Sequence, residues 1–506
     1  MISTTAHTTA GTWDPGSAVG TAAIPEPFLD WQSVWPGTSG YEKDGTAYVI
    51  GAPIGVRLSV QLAEKSNAIL PMDRPWENRV MFPTALFHDG RYHLWYGMGP
   101  CEEYPEGFVC YAESADGFTW RKPELDLYPF GGRKTNIVYP YRMEGSVFID
   151  PTADFKMFYM ESRWLYRGKV LSGDTEALAL RTRLREEGMP DQELRNILRL
   201  TGEMRGAASP DGIHWTRLGA TLINRFCDTQ NVAAYDPERG CYVAYVRQSR
   251  GLRRAVGRSE SPSFDAVWPE PRVVLEPDAL DPPTDDLYTN AYSRYPGGAP
   301  FHLMFPSVYH RTRDVLDVQL AVSRDGLLWH RPERVPIIPL GAPGSGEDGG
   351  IYACPGVIPL GDERWGVLYN GVAERHNEGY AGIQRERDGV LRWAIWRRDR
   401  LVALEAESQT ELTLGARECS GQQLRFNYRT EPNGWIRIEL IPPTLWPAEH
   451  LRPLPSYSFE ECVPLRGDSL SEPVVWNGRS DLRALKGERV AIRIRMSHAK
   501  LYSVAI

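Results

Sequence analysis

Carboxylates recur along this chain in phase with a strand pattern, and that phase decides which of them can do chemistry. Glu77, Glu144, Asp228, Asp285 with Asp286, and Glu347 with Asp348 each stand just ahead of the first strand of a hairpin. If the hairpins are set around an axis, the starts of their first strands converge on one face. Acids gathered there among aromatic and amide side chains suit cleavage of a glycosidic bond. One carboxyl protonates the leaving oxygen while another attacks or activates water. Asp89, Asp150 and Asp236 fall in the hairpin turns, at the far end of the same strands, and the phase excludes them.

Asp228 and Glu347 are the expected catalytic pair, with Glu77 as the alternative partner. Asp228 has the best register, and Gln230 and Asn231 beside it can bond sugar hydroxyls or hold the carboxylate. Glu347 sits between Gly344, Gly346, Gly349 and Gly350, which allow backbone to approach a ligand closely. Trp76, Tyr288, Tyr309, Tyr352 and His376 are candidates to stack on or bond a sugar ring. Arg79, Glu144, Asp286, Asn290 and His310 complete the expected substrate-binding set.

The elements that must carry these residues are repeats. Thr84 to Tyr96 reads as a strand, an Asp-Gly turn and a second strand. Ser146–Tyr159, Asn231–Tyr245, Asn290–Phe305 and Gly356–Tyr369 repeat the unit with other turns. A second motif, Ser-x-Asp-Gly-x-x-Trp, is interleaved at Ser114–Trp120, Ser209–Trp215 and Ser323–Trp329, with a degenerate copy at Ser259–Phe264. Four-stranded units at such a period predict an all-β, five-bladed propeller over residues 31–410. Helical spacing after Asp174 and after Pro190 predicts a small helical insertion, 173–204, in the second blade. Alternating strands over 411–506 predict a C-terminal β-sandwich, and residues 1–30 read as a loose arm.

The bulk numbers agree with many short strands and tight turns: 47 Gly and 40 Pro, beside 16 Trp. A net charge of -8 and the lack of a basic cluster argue against a nucleic-acid partner. No stretch approaches the roughly 20 apolar residues of a membrane helix. The first twenty residues show no basic start and no apolar core of signal-peptide length, so a cytoplasmic location with reduced thiols is the expectation. No metal-ligand spacing and no Gly-rich phosphate loop is visible, and no cofactor is expected. The helical insertion and the sandwich are the surfaces expected to carry any self-association.

Asp228-Thr-Gln-Asn231, followed by Tyr235 to Tyr245, resembles the first-blade motif of five-bladed propeller glycoside hydrolases. These are the fructofuranosidase- and arabinanase-like enzymes of families 32 and 43. Phe87 to Tyr96 is similar to the strand pair that follows that motif, and the C-terminal region resembles the sandwich appended to fructofuranosidases. The resemblance covers about residues 78–506 and implies a glycosidase acting on a furanoside or short oligosaccharide. The sequence departs from the pattern in places. Met81 stands where the family carries its nucleophilic Asp, Ile149-Asp150-Pro151 is out of register with the family's Arg-Asp-Pro, and Cys227-Asp228 only loosely matches its Glu-Cys. Three alternatives use the same fold. A phosphorylase would hold phosphate through His310 to Arg313, or through Arg79 with Arg91. A lyase would set a Tyr or His base opposite an arginine that binds uronate. A non-catalytic sugar-binding propeller would lack convergent acids.

Overall fold

The computed structural model describes residues 24–35, 38–41, 47–50, 53–172, 174–378, 389–443 and 452–506. The chain is mostly β, in a propeller arrangement. Its first blade is the antiparallel meander Val80–His88, Arg91–Met98, Phe108–Ser114 and Trp120–Arg121. Asp89 and Gly90 turn its first hairpin at φ 48° and 73°, the pair of positive angles that a two-residue hairpin turn needs. The second blade is Ser146–Ile149, Phe155–Tyr166, Leu198–Ser209 and Thr216–Arg217, and the third is Val232–Asp236, Cys241–Arg250, Arg253–Ser261 and Arg272–Leu275.

The count differs from the five blades expected: four units are complete four-stranded blades. The Asn290–Phe305 hairpin builds only three strands, Ser293–Arg294, His302–Met304 and Ala321–Ser323, with a single bridge from Val322 to His330 beyond them. Pro296, Gly297, Gly298 and Pro300 follow its two-residue first strand. Proline has no N–H for a ladder, and glycine has no side chain to pack in one.

The last blade is Gly350–Pro359, Arg364–Val372 and Val390–Arg397, and its fourth strand comes from the other end of the propeller sequence. Glu64–Lys65 pairs with Ile395 and Ala394, and Ser66 N donates to Trp393 O at 2.9 Å. The ring is thus closed by a strand that precedes its first blade. A three-strand meander, Asp285–Leu287, Ser307–His310 and Val315–Val318, joins the same sheet through a parallel pairing of Leu316 with Gly350.

The interleaved motif is one structure made three times. Ser114 Oγ accepts from Gly117 N at 2.9 Å, Asp116 Oδ1 caps the N–H groups of Phe118 and Thr119 at 2.8 and 2.7 Å, and Trp120 Nε1 donates back to Gly117 O at 3.0 Å. Ser209, Asp211 and Trp215, and likewise Ser323, Asp325 and Trp329, repeat these bonds. Each turn glycine also receives an aromatic donor from another unit. Trp393 reaches Gly117 O at 2.8 Å, Trp95 reaches Gly212 O at 2.7 Å and Tyr245 reaches Gly326 O at 2.9 Å.

Helices Asp174–Glu186 and Asp191–Ile197 lie between the long strands Phe155–Tyr166 and Leu198–Ser209. Ala177, Leu184, Leu194 and Leu198 pack there with Trp164 and Tyr166. The C-terminal strands pair as one eight-stranded sheet, in which Arg489–Ala505 is flanked along its length. Three strands of that sheet, Glu26–Pro27, Val34–Trp35 and Arg57–Val60, come from ahead of the propeller, and a fourth is Val402–Ala406. The boundaries expected at 30 and 410 therefore shift. The expected loose arm lies, for 1–23, outside the described residues, and its end at Glu26–Pro27 is a strand on Val504 and Ser503. Among the described residues no helix is long and apolar enough to cross a membrane. All seven cysteines are free thiols.

Candidate active site

Amide side chains occupy the centre of the ring and spend themselves on backbone. Gln230 Nε2 donates to Pro83 O at 2.9 Å and Gly145 O at 3.3 Å, stitching the third repeat to the first two blades. Asn231 Nδ2 donates to the carbonyls of Glu144, Cys227 and Thr229, and its Oδ1 accepts from Arg247 N at 3.1 Å. Asn290 Nδ2 bonds Tyr245 O at 3.1 Å, and Asn370 Nδ2 reaches Val80 O at 3.2 Å. Gln230, Asn231 and Asn290 are fully buried. They were expected to bind substrate. Their polar atoms instead satisfy strand starts that have no ladder partner at the axis.

Around this centre lies a cluster of charged and aromatic groups drawn from several units. Asp228, whose side chain is 44% exposed, pairs with Arg247 at the end of the strand Cys241–Arg250. The Arg247 guanidinium lies 5.8 Å from the centroid of the Tyr288 ring, and Arg254 lies 5.1 Å from it. Tyr288 meets His376 edge-on at 4.7 Å and Tyr352 at 6.0 Å, and Tyr309 packs on His376 at 4.5 Å. Tyr352 Oη and His376 Nδ1 are 3.2 Å apart. Glu374, buried two residues before His376, accepts from Arg79 Nη1 at 2.9 Å. Arg142 pairs with Glu144 at 3.2 Å and donates to Ser162 Oγ at 2.5 Å.

Burial and charge act together on the titratable groups of this cluster. Burial, then the Arg254 charge, push His376 down to about 4; Arg247 and Arg79 add to the effect and Asp314 opposes it. Burial and the neighbouring Arg254 hold Arg247 below the usual arginine range. Burial first, and then the bonded Asp314, raise Tyr309 to about 12. His376 is accordingly neutral at ordinary pH.

Other expected site residues are bound elsewhere. Glu77 Oε1 accepts from Tyr96 Oη at 2.7 Å, and its Oε2 accepts from Lys122 Nζ at 2.7 Å and Arg74 N at 2.9 Å. Trp76 Nε1 donates to Asn136 Oδ1 at 2.9 Å in the same buried network, so neither residue faces the cluster. Glu347 bonds Lys65 Nζ at 2.9 Å and Tyr369 Oη at 2.8 Å, with Arg392 Nε at 3.6 Å. No hydrogen bond or ion pair among the described residues joins it to Asp228. His310 is held between Asp285 at 2.7 Å and Asp317 at 2.9 Å; burial works against its charge, but the two carboxylates prevail and raise its pKa. Asp286 is fully buried between Arg254 and Arg311, each of which reaches it within 2.9 Å, and it positions Arg254 rather than facing substrate. Arg79 stands in the cluster and Arg311 reaches it through Asp286, whereas Arg91 lies beside Glu113.

Arg247, Arg254 and Glu374 are site residues that the phase of the carboxylates did not select. In an antiparallel blade the end of the second strand and the start of the third lie on the same face as the start of the first. The turn Gly251-Leu252 between Arg247 and Arg254 was the available signal.

A cavity of about 490 Å³ opens at the other end of the strands, lined by Phe87, Phe148, Ile149, Tyr235, Tyr295 and Pro355 among others. Asp150 is on its rim, committed to Lys156 at 3.3 Å and Tyr242 at 3.2 Å. The charged and aromatic cluster around Tyr288 is at the opposite face. Among the described residues no group of three or more His, Cys, Asp and Glu side chains is arranged to hold a metal ion.

No family model matches the chain and no curated protein matches it. Among solved structures it is similar to a thermostable family-43 glycoside hydrolase, at 14% identity and a TM-score of 0.40 over 67% of this chain and 96% of that one. The catalytic domain of a GH62 α-L-arabinofuranosidase from Coprinopsis cinerea gives 13% and 0.42, covering 67% and 97%. A β-1,2-mannobiose phosphorylase from Listeria innocua gives 11% and 0.42, covering 66% and 95%.

Proposed function

We propose that this chain is a glycoside-acting enzyme that hydrolyses a glycosidic bond at the face carrying Asp228, with a short oligosaccharide as substrate. The observation that carries the reading is the flanking of one aromatic floor by two carboxylates. Asp228 stands on the Arg247 side of Tyr288, and Glu374 stands with Arg79 on the side of Tyr352 and His376. A sugar ring laid on Tyr288 and Tyr352 has an acid at either edge, the arrangement that glycoside cleavage needs.

Asp228 is the more open of the two and is the group that can reach a leaving oxygen. Glu374 is buried and oriented by Arg79, which suits a carboxylate that attacks or activates water. Glu374 thereby takes the role first assigned to Glu347, whose partners hold it in the last blade. The furanoside expectation rests on the resemblance of Asp228–Asn231 with Tyr235–Tyr245, of Phe87–Tyr96 and of the C-terminal region.

The test is release of reducing sugar from a panel of short oligosaccharides by wild type, Asp228→Asn and Glu374→Gln, with and without added phosphate. Loss of turnover in both folded variants, independent of phosphate, supports hydrolysis at this site. Wild-type turnover in both variants refutes it, and a strict need for phosphate replaces hydrolysis by phosphorolysis.

A further inference from the structure

The cluster at the mouth holds more arginine than neutral sugar chemistry requires. Arg247 and Arg254 contact the same Tyr288 ring, and Arg254 lies 5.6 Å from the Tyr309 ring as well. Two like charges set against one ring repel, and partial burial leaves little water to screen them. Arg79 adds a third guanidinium across the floor, 43% exposed, while Arg247 and Arg254 are 19% and 22% exposed and so still reachable.

Each of the three has an acidic partner. Asp286 is shared between Arg254 and Arg311, so four guanidinium groups meet Asp228, Glu374 and Asp286, and Asp314 makes the carboxylates equal in number. Asp314, the remaining acid nearby, is occupied by Tyr309 Oη at 2.7 Å and by Asn377 Nδ2 at 2.6 Å. Arg254 Nε is buried and finds no acceptor among the described residues.

We propose that the mouth binds a compact oxyanion, the carboxylate of a uronate ring or a phosphate group, through Arg79, Arg247 and Arg254 beside the Tyr288–Tyr352–His376 floor. This rests on the reading of that face as a glycoside site and narrows it to an acidic substrate or an anionic co-substrate. Guanidinium groups suit the task because their planar N–H forks match carboxylate and phosphate oxygens.

The test is isothermal titration calorimetry of the full chain at low ionic strength with D-galacturonate, D-glucuronate, D-galactose and inorganic phosphate. An anion bound at least about tenfold more tightly than galactose supports the proposal, since a charge-assisted contact is worth that much. The arm that binds identifies the source as carboxylate or phosphate. The preference should shrink as salt rises and should be lost in Arg247→Met and Arg254→Met, with near-ultraviolet circular dichroism confirming their folds. The wild-type salt series decides the matter if both variants misfold. Galactose binding as well as the anions do overturns the proposal and leaves the glycoside reading standing. No saturable binding by any sugar or by phosphate overturns both.

Discussion

Trp95 Nε1 donates to Gly212 O across 2.7 Å, and this bond rivets the first blade to the turn of the second. Trp393, on the third strand of the last blade, does so to Gly117, and Tyr245 of the third blade does so to Gly326. A repeat visible in the sequence as a turn is, in the folded chain, a joint between neighbouring units.

That joint tolerates no side chain at its glycine. Gly212 has φ 73°, and a Cβ there would stand 2.6 Å from Trp95 Cζ2. Gly212→Ala is therefore expected to cost about 2–4 kcal/mol, from left-handed backbone strain together with overpacking. Trp95→Phe should cost about 1–3 kcal/mol because it shrinks a fully buried side chain and removes one of the two donors to Gly212 O, leaving Trp215 Nε1. Urea unfolding of both variants measures the two costs.

Glu347 is expected to behave as a structural acid. Glu347→Gln should lower the unfolding free energy by about 2–3 kcal/mol, by weakening charged bonds to Lys65 and Tyr369, and leave turnover within about twofold. A folded variant with no activity would return Glu347 to the catalytic site.

Asp228→Asn and Glu374→Gln should each reduce kcat by a factor of about 100 or more, the contribution of a positioned acid or base. Stability should separate them. Asp228 is half exposed and its loss should be nearly silent in urea, whereas Glu374→Gln weakens a pair whose acid is buried. Steady-state kinetics beside an unfolding curve distinguishes the two effects.

Acid should weaken the fold through two histidines. Burial drives His302 down to about 4, from an ordinary value of 6.5, and drives His376 to about 4 as well. The unfolded chain then holds more protons than the folded one between those values. Stability is complete above pH 6.5 and is lost as pH falls toward 4. For His302, wholly buried against Tyr292 Oη at 2.8 Å, the loss is on the order of 3 kcal/mol. His302→Gln, which removes the titrating ring, should flatten the fall of the urea midpoint between pH 7 and pH 4.5; an unchanged slope would refute its origin in His302.

What was legible in the sequence is what is local. Asp89-Gly90 turns a hairpin and Ser114 to Trp120 closes a turn because all their bonds lie within a few residues. Register likewise separated Asp150 from Asp228, which lie at opposite ends of their strands. The fates of Glu77 and Glu347 were hidden because Lys122 and Lys65, which bind them, are far along the chain. The amides Gln230 and Asn231 looked free for a ligand until other repeats presented carbonyls to them. The arginines of the mouth follow a strand rather than precede one, and a rule built on strand starts passes over them. The missing fourth strand beyond Ala321–Ser323 was written in Pro332 and Pro336, which follow the lone bridge at His330 and whose effect a hairpin count ignores.

Glu64–Lys65 closing on Ala394 and Ile395 has a consequence for how the molecule comes into being. During synthesis those two residues leave the ribosome early and wait, edge unpaired, until some 330 further residues have followed. The blades between them can form one by one as they emerge, but the circle stays open and its last interface wet. Completion is thus a late, long-range event, slow by loop-closure entropy and exposed to pairing with another chain in the interval. Chaperone dependence and yield should respond to the speed of translation over the final blade more than to the composition of any one of the others.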